Sequence, residues 1–305
     1  MLKIHYHKKN TWFDFTQASK DNFHPLAKKK KINPYIIKKF LSPSNRDKAL
    51  HLDDNLYLSL HFPDLKNRDY ISQEIKFIIG RDYIITNQDV LNEGLDKFRY
   101  TFEKTADFEK NEGDDSCIVY IFLHMMEKIY ENIIFELRDL EKRIDKIEDK
   151  IFDGKEKYMV RSISETNRDL LDFKKNIKSH RETWNIFFKL SREYFEKESS
   201  YTTIESILIS YKKTHTIADE LSELIHDLRD TNNSLLAAKQ GDMTKTFTLI
   251  AFLTMPATLF YSIVALPTTQ KHIFIGQEND FTLIMILSFG FFIVMLSFTI
   301  WKKWW

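Results

Sequence analysis

Seven residues close to the C-terminal end, Thr244, Thr248, Ala251, Met255, Thr258, Ser262 and Ala265, recur at intervals of 4, 3, 4, 3, 4 and 3. On a helix of 3.6 residues per turn that spacing gathers them on one face. Phe247, Ile250, Leu253 and Phe260 fall off it. A face of hydroxyls with one thioether can pass a largely hydrated cation, because it binds weakly enough to let go. Small residues in a stripe are also what helices use to pack closely in lipid. The stripe alone does not choose between a pore lining and a packing seam.

Carboxylates form a second set. Asp219, Glu223, Asp227 and Asp230 lie within adjacent helical turns, with His226 beside them. Oxygen ligands so spaced could hold Mg²⁺ between subunits, although a solvated acidic face is the commoner use of the pattern. Glu278 and Asp280 sit just before the last apolar run and could form an outer acidic ring. His5 and His7 make an H-x-H pair with no third ligand nearby, which favours a strand-edge role over a metal site. Lys28 to Lys31 reads as a solvated loop, and Cys117, the single cysteine, lies in an apolar run and reads as buried and inert. The seven glycines form no phosphate-binding motif, and there is no Gly-x-Ser-x-Gly or His-Glu-x-x-His. The expectation is no enzyme and no catalytic residue.

The elements that must carry these residues differ sharply along the chain. From Thr246 to Thr269, and again from Phe281 to Trp301, no residue is charged. Each run matches the ~20 apolar residues of a membrane-spanning helix. Pro256 should kink the first near its middle. Lys245, Lys302, Lys303 and the lysine-rich remainder flank the runs, while the loop between them holds only Lys271 and His272 against Glu278 and Asp280. The positive-inside rule then expects a multi-pass protein of a bacterial-type inner membrane with both termini cytoplasmic. The 305 residues are otherwise balanced in charge, 45 Lys+Arg against 44 Asp+Glu, which argues against a nucleic-acid partner.

Residues 1–120 carry short strand-like runs, Leu2, Ile4 and Tyr6, then Leu56, Leu58, Leu60 and Phe62, and a hairpin joined at Gly80–Arg81. An α/β domain is expected there, with a helix over 89–108. Residues 121–245 read as long coiled-coil helices. Ile133, Leu137, Leu140, Ile144, Ile147 and Ile151 form the first seam, ended by Asp153–Gly154. Met159, Ile163, Thr166, Leu170, Phe173, Ile177, His180, Trp184 and Phe187 form the second. Ile204, Leu208, Tyr211, His215, Ala218, Leu221, Ile225 and Leu228 form the third, on a helix expected to continue to Leu266. A helix of that length needs partners, and a homo-oligomer supplies them. Further boundaries are a first span at 246–268, an outer loop at 269–280, a second span at 281–301 and a basic, aromatic tail at 302–305.

In this arrangement the chain resembles the CorA-type magnesium channel family of two-span proteins. IKFIIGRDYIITNQ is similar to the family's head-domain hairpin, FELRDLEKRIDKIEDKIF to its first coiled-coil helix, and HDLRDTNNSLLAAKQGDMTKTFTLIAFLTMPATLFYSIVALP to its stalk and first span. The resemblance implies a pentamer whose first spans line a pore along the Thr244–Ala265 stripe. It implies divalent cations, Mg²⁺ first, as substrate and regulator, with no covalent cofactor. One element departs. Counting from Met255–Pro256, the family's Gly-Met-Asn signature falls on Ala265, Leu266 and Pro267. The signature Asn offers a ring of side-chain carbonyls to a hydrated cation, whereas Pro267 has neither a polar side chain nor a backbone N–H.

Two expectations follow from the resemblance. One is a channel passing divalent cations down their electrochemical gradient, gated by the cytoplasmic domain. The other is a CorA-like scaffold or regulatory protein that has lost transport with its signature.

Overall fold

A computed structural model describes the chain except for residues 8, 66–71, 105–117, 192–197, 265–279 and 302–305. Six strands, β1 Leu2–His7, β2 Asn10–Thr16, β3 Lys48–Leu52, β4 Asn55–Pro63, β5 Ser72–Ile79 and β6 Tyr83–Gln88, form one sheet in the order β1-β2-β6-β5-β4-β3. All neighbours are antiparallel except β2 and β6, which run parallel. The Gly80–Arg81 hairpin forms as its residues imply, with the Gly80 N–H donating to the Tyr83 carbonyl at 2.9 Å. Helices α1 Lys20–Lys29 and α2 Pro34–Leu41 cover one face. There Phe23, Ala27, Ile36 and Phe40 pack with Phe15, Tyr57, Ile78 and Ile85. Asn33 caps α2 by accepting from the Tyr35 N–H, and Pro34 follows at the first helical position, where its missing donor costs nothing.

The other face meets α3 Glu93–Lys104, α4 Ile118–Phe152, α5 Glu156–Lys178 and α6 His180–Leu190. Phe77 packs edge-on to Phe122 of α4, and Phe62 to Tyr130 of α4 and His180 of α6. Covered on both sides, β4 buries Leu56, Tyr57, Leu58, Ser59 and Leu60 in succession, so its hydrophobic alternation does not mark a half-exposed strand.

At β1 the alternation is real but inverted. Leu2, Ile4 and Tyr6 are exposed, whereas His5 is buried and stacks 4.6 Å from Trp12. β1 is an edge strand, and the Trp12–Phe98–Phe102 aromatic cluster accepts the imidazole ring on the inward side. The His7 side chain and Cys117 lie outside the described residues.

The helical seams are buried as their spacing requires. Ile133 to Ile151 line α4, which ends at Gly154, φ 85°. The Lys155 N–H bonds the Lys150 carbonyl and the Gly154 N–H bonds that of Ile151, a Schellman stop. The second seam is buried from Met159 to Phe187, but on two helices rather than one, because the chain breaks at Ser179 between α5 and α6. The third helix, α7 Glu198–Val264, is continuous over 67 residues with Pro256 inside it. Its first described turns bury Ile207, Tyr211 and Thr214, one position before Leu208 and His215, and the expected seam resumes at Ala218, Leu221, Ile225 and Leu228. The shift lets the Thr214 hydroxyl bond the Ser210 carbonyl and leaves the more polar His215 half-buried. Helix α8 spans Asp280–Trp301.

The chain divides into two compact units, Met1–Asp230 and Thr231–Trp305. Among the described residues no helix is long and apolar enough to cross a membrane.

Candidate functional site

Within the C-terminal unit the stripe is open. Thr244, Thr248, Ala251, Met255, Thr258 and Ser262 are all exposed, Met255 at 74%. Ala257 and Tyr261 of α7, with Met285, Phe289 and Phe292 of α8, line an open cavity of about 570 Å³ on a different side of α7. At ~100° per residue those two positions lie about 120° round the helix from the middle of the stripe. The hydroxyls are oriented by the helix itself. Thr244 donates to the Gln240 carbonyl at 2.9 Å, and Thr248 to that of Thr244, Thr258 to that of Met255 and Ser262 to that of Thr258, each at 2.8 Å. With each proton directed into the helix, the oxygen lone pairs remain as acceptors for a cation or its water shell. Ala265, Leu266, Pro267 and Glu278 lie outside the described residues, as does the Asp280 side chain.

The acidic set is spread out along α7. Asp219 is engaged by Lys174 Nζ of α5 at 2.7 Å and by His215 Nδ1 at 2.9 Å. Burial would raise its carboxyl, but Lys174 and His215 hold it below the usual range. Asp230 pairs with His226 at 3.4 Å, and Glu223 and Asp227 are exposed. Among the described residues no three His, Cys, Asp or Glu side chains come close enough within one chain to hold a metal ion.

A polar cluster that the sequence reading passed over lies in the N-terminal unit, where α5 and α6 meet the sheet. Asp47, its side chain 1% exposed, accepts at Oδ1 from both the backbone N–H and ring Nδ1 of His61, each at 2.8 Å. Its other oxygen accepts from the Ser179 hydroxyl at the α5–α6 break. His61 Nε2 lies 2.7 Å from the Ser44 carbonyl. His180, fully buried, reaches the His61 carbonyl with Nε2 and the Tyr130 hydroxyl with Nδ1, each at 2.9 Å, and Trp184 donates to that hydroxyl at 2.8 Å. Burial tends to raise Asp47, yet the His61 and Ser179 hydrogen bonds and the nearby His180 leave it lowered. The signal available in sequence was His180 itself, the one imidazole in a mainly apolar seam.

The family model described as CorA-like Mg²⁺ transporter protein matches residues 7–302. The cobalt/magnesium transport protein CorA of Thermotoga maritima is 21% identical over 237 residues, 76% of this chain, and the match spans 65% of that relative's length. The CorA magnesium transporter of Methanocaldococcus jannaschii superposes with TM-score 0.80 at 14% identity, covering 97% of this chain and 92% of that one. The ZntB cytoplasmic domain from Vibrio parahaemolyticus gives 0.61 at 11%, covering 76% and 90%. At these identities the structural likenesses speak for the fold. The family match runs through the sheet, the coiled-coil helices and both apolar runs, and the chain belongs to the family of CorA-like Mg²⁺ transporter proteins.

Proposed function

We propose that the protein is a membrane channel or transporter that passes divalent cations, Mg²⁺ first, down their electrochemical gradient. The observation that carries this reading is the exposed hydroxyl stripe of α7, with its lone pairs outward and the cavity shared with α8 on another side of the helix. Copies of α7 arranged about an axis, five in the family's manner, give that stripe a water-filled path to line. The uncharged runs 246–268 and 281–301 serve as the two spans, 269–280 as the outer loop, and 302–305 as a basic inner anchor. Residues 1–120 and the helices of 121–245 form the cytoplasmic head that gates the pore.

Selectivity rests on a different outer mouth from the family's. Ala265, Leu266 and Pro267 bring no side-chain carbonyl, so a cation entering there keeps its water and is recruited by the charges of Glu278 and Asp280. Weak hydroxyl contacts then carry it past Met255. Asp219, Glu223, Asp227 and Asp230 face solvent in one chain and could meet a divalent ion only together with a second copy. Reconstitution of the full chain in liposomes with a trapped Mg²⁺ dye and an inside-negative potential tests the reading. Uptake above that of empty vesicles supports it; an intact oligomer that admits none of Mg²⁺, Co²⁺, Ni²⁺ or Zn²⁺ removes it.

A further inference from the structure

The protonation states of His61 and His180 are dictated by their partners. Both oxygens of Asp47 are already acceptors, Oδ1 from the His61 N–H and Oδ2 from Ser179. The Ser44 carbonyl can only accept. His61 therefore faces an acceptor at each ring nitrogen, 2.8 and 2.7 Å away, and satisfies both only when it carries two protons. A neutral ring would set lone pair against lone pair at one of them.

His180 is bound in the opposite sense. Trp184 donates to the Tyr130 oxygen, so the Tyr130 proton is free to point at His180 Nδ1. His180 Nε2–H then donates to the His61 carbonyl, and the ring is neutral with its tautomer assigned. One imidazolium and one neutral imidazole thus tie three segments together: the loop carrying Ser44 and Asp47, strand β4, and the α5–α6 junction at Ser179 and His180.

We propose that His61 is a largely enclosed proton-binding site whose occupancy latches the α5–α6 junction to the sheet, and that the latch loosens as the proton leaves. The charged groups around the ring come from every packed element. Asp47 and Arg46 approach from the loop, Glu74 and its partner Lys76 from β5, Asp89 from beyond β6, Lys175 from α5 and His180 from α6. The ring, 15% exposed, lines a polar cavity of about 560 Å³, which gives water and protons a route to it.

The direction with pH follows. Burial pulls His61 down, but the Asp47 and Ser44 hydrogen bonds and the charges of Asp47 and Glu74 raise it above its ordinary 6.5. Its contribution is complete below 6.5 and is lost as pH climbs through the raised value. His180, lowered by burial, acts oppositely: its neutral form is favoured above 6.5, and that contribution is lost only as pH falls through the lowered value. The latch is therefore closed on the mildly acid side and opens toward alkaline pH.

Hydrogen exchange on the detergent-solubilised full chain between pH 6 and 9, corrected for intrinsic amide chemistry, tests this. The amides of Ser44, His61 and Thr183, which donate to the Glu74 carboxylate, the Asp47 carboxylate and the Ser179 carbonyl, are expected to lose protection together. The loss should be about tenfold for each unit by which the midpoint exceeds 6.5, while buried β4 amides around Leu58 hold theirs. His61→Gln should abolish the step, and Asp47→Asn should move it to lower pH. A wild-type protein without a step in these amides overturns the proposal with no variant needed, and so does a step that persists in folded His61→Gln.

Discussion

The guanidinium of Arg99, on α3, closes on one carboxylate oxygen of Asp14, on β2, with Nη2 at 2.5 Å and Nε at 3.1 Å. Asp14 is 2% exposed and Arg99 12%, so the pair is nearly out of solvent. Asp14 also accepts from Thr86, which itself accepts from Trp12. This chain of bonds holds α3 against the central strands. Arg99→Met strands a buried carboxylate and should lower the stability of the α/β domain by about 3 kcal/mol. Urea denaturation followed by tryptophan fluorescence measures it, and a loss below about 1 kcal/mol would show that the pair is incidental.

Asp47 supplies an acid-side prediction. Its carboxyl is held below 3.8, so the stabilisation it provides is present above that value and is lost as pH falls through the lowered one. The stability gap between wild type and Asp47→Asn should therefore be widest near pH 5 and 6 and should narrow toward pH 3. Thermal melts across that range decide it. A gap that stays constant with pH contradicts the assignment.

Gly154 adopts φ 85° in the Schellman stop that turns α4 into α5. A side chain there meets its own carbonyl, so Gly154→Ala should destabilise by about 1 kcal/mol and Gly154→Asn by less. Denaturant midpoints for the two variants give the order, and equal losses would point away from backbone conformation.

Much of this architecture was legible in residue order. The seams at Ile133–Ile151 and Met159–Phe187 are buried because a 4, 3 spacing on a helix leaves few other faces to bury. The Gly80–Arg81 hairpin was legible for a similar reason: two β-rich runs flank a turn residue. The sheet order was not, since it depends on the parallel pairing of β2 with β6 across about 70 intervening positions. Nor was the inward turn of His5, which is decided by aromatic neighbours as distant as Phe102. The latch was hidden most completely. Asp47, His61 and Ser179 are unremarkable polar residues until folding brings them together across 132 positions. That Thr244 to Ser262 share one face of α7 follows from their spacing, because one helix is enough to align them.

Restoring the family signature probes the outer mouth proposed at residues 265–267. Ala265→Gly, Leu266→Met and Pro267→Asn together would supply a ring of carbonyl acceptors, so Mg²⁺ uptake should saturate at a lower Mg²⁺ concentration. Concentration dependence of dye uptake in liposomes reads this out. A folded triple variant with unchanged saturation would mean that these positions do not border the ion path.

The most direct measurement compares two isosteric substitutions in that uptake assay. Thr258→Val removes a hydroxyl from the stripe, whereas Thr254→Val removes one that is also exposed but lies about 80° round the helix from the middle of the stripe. If the stripe carries the ion, Thr258→Val should slow Mg²⁺ entry roughly three- to tenfold, the loss of about one hydrogen-bonding contact, and Thr254→Val should leave it near the wild-type rate. Equal rates in the two variants, or wild-type vesicles no faster than empty ones, would contradict a pore lined by this face of α7.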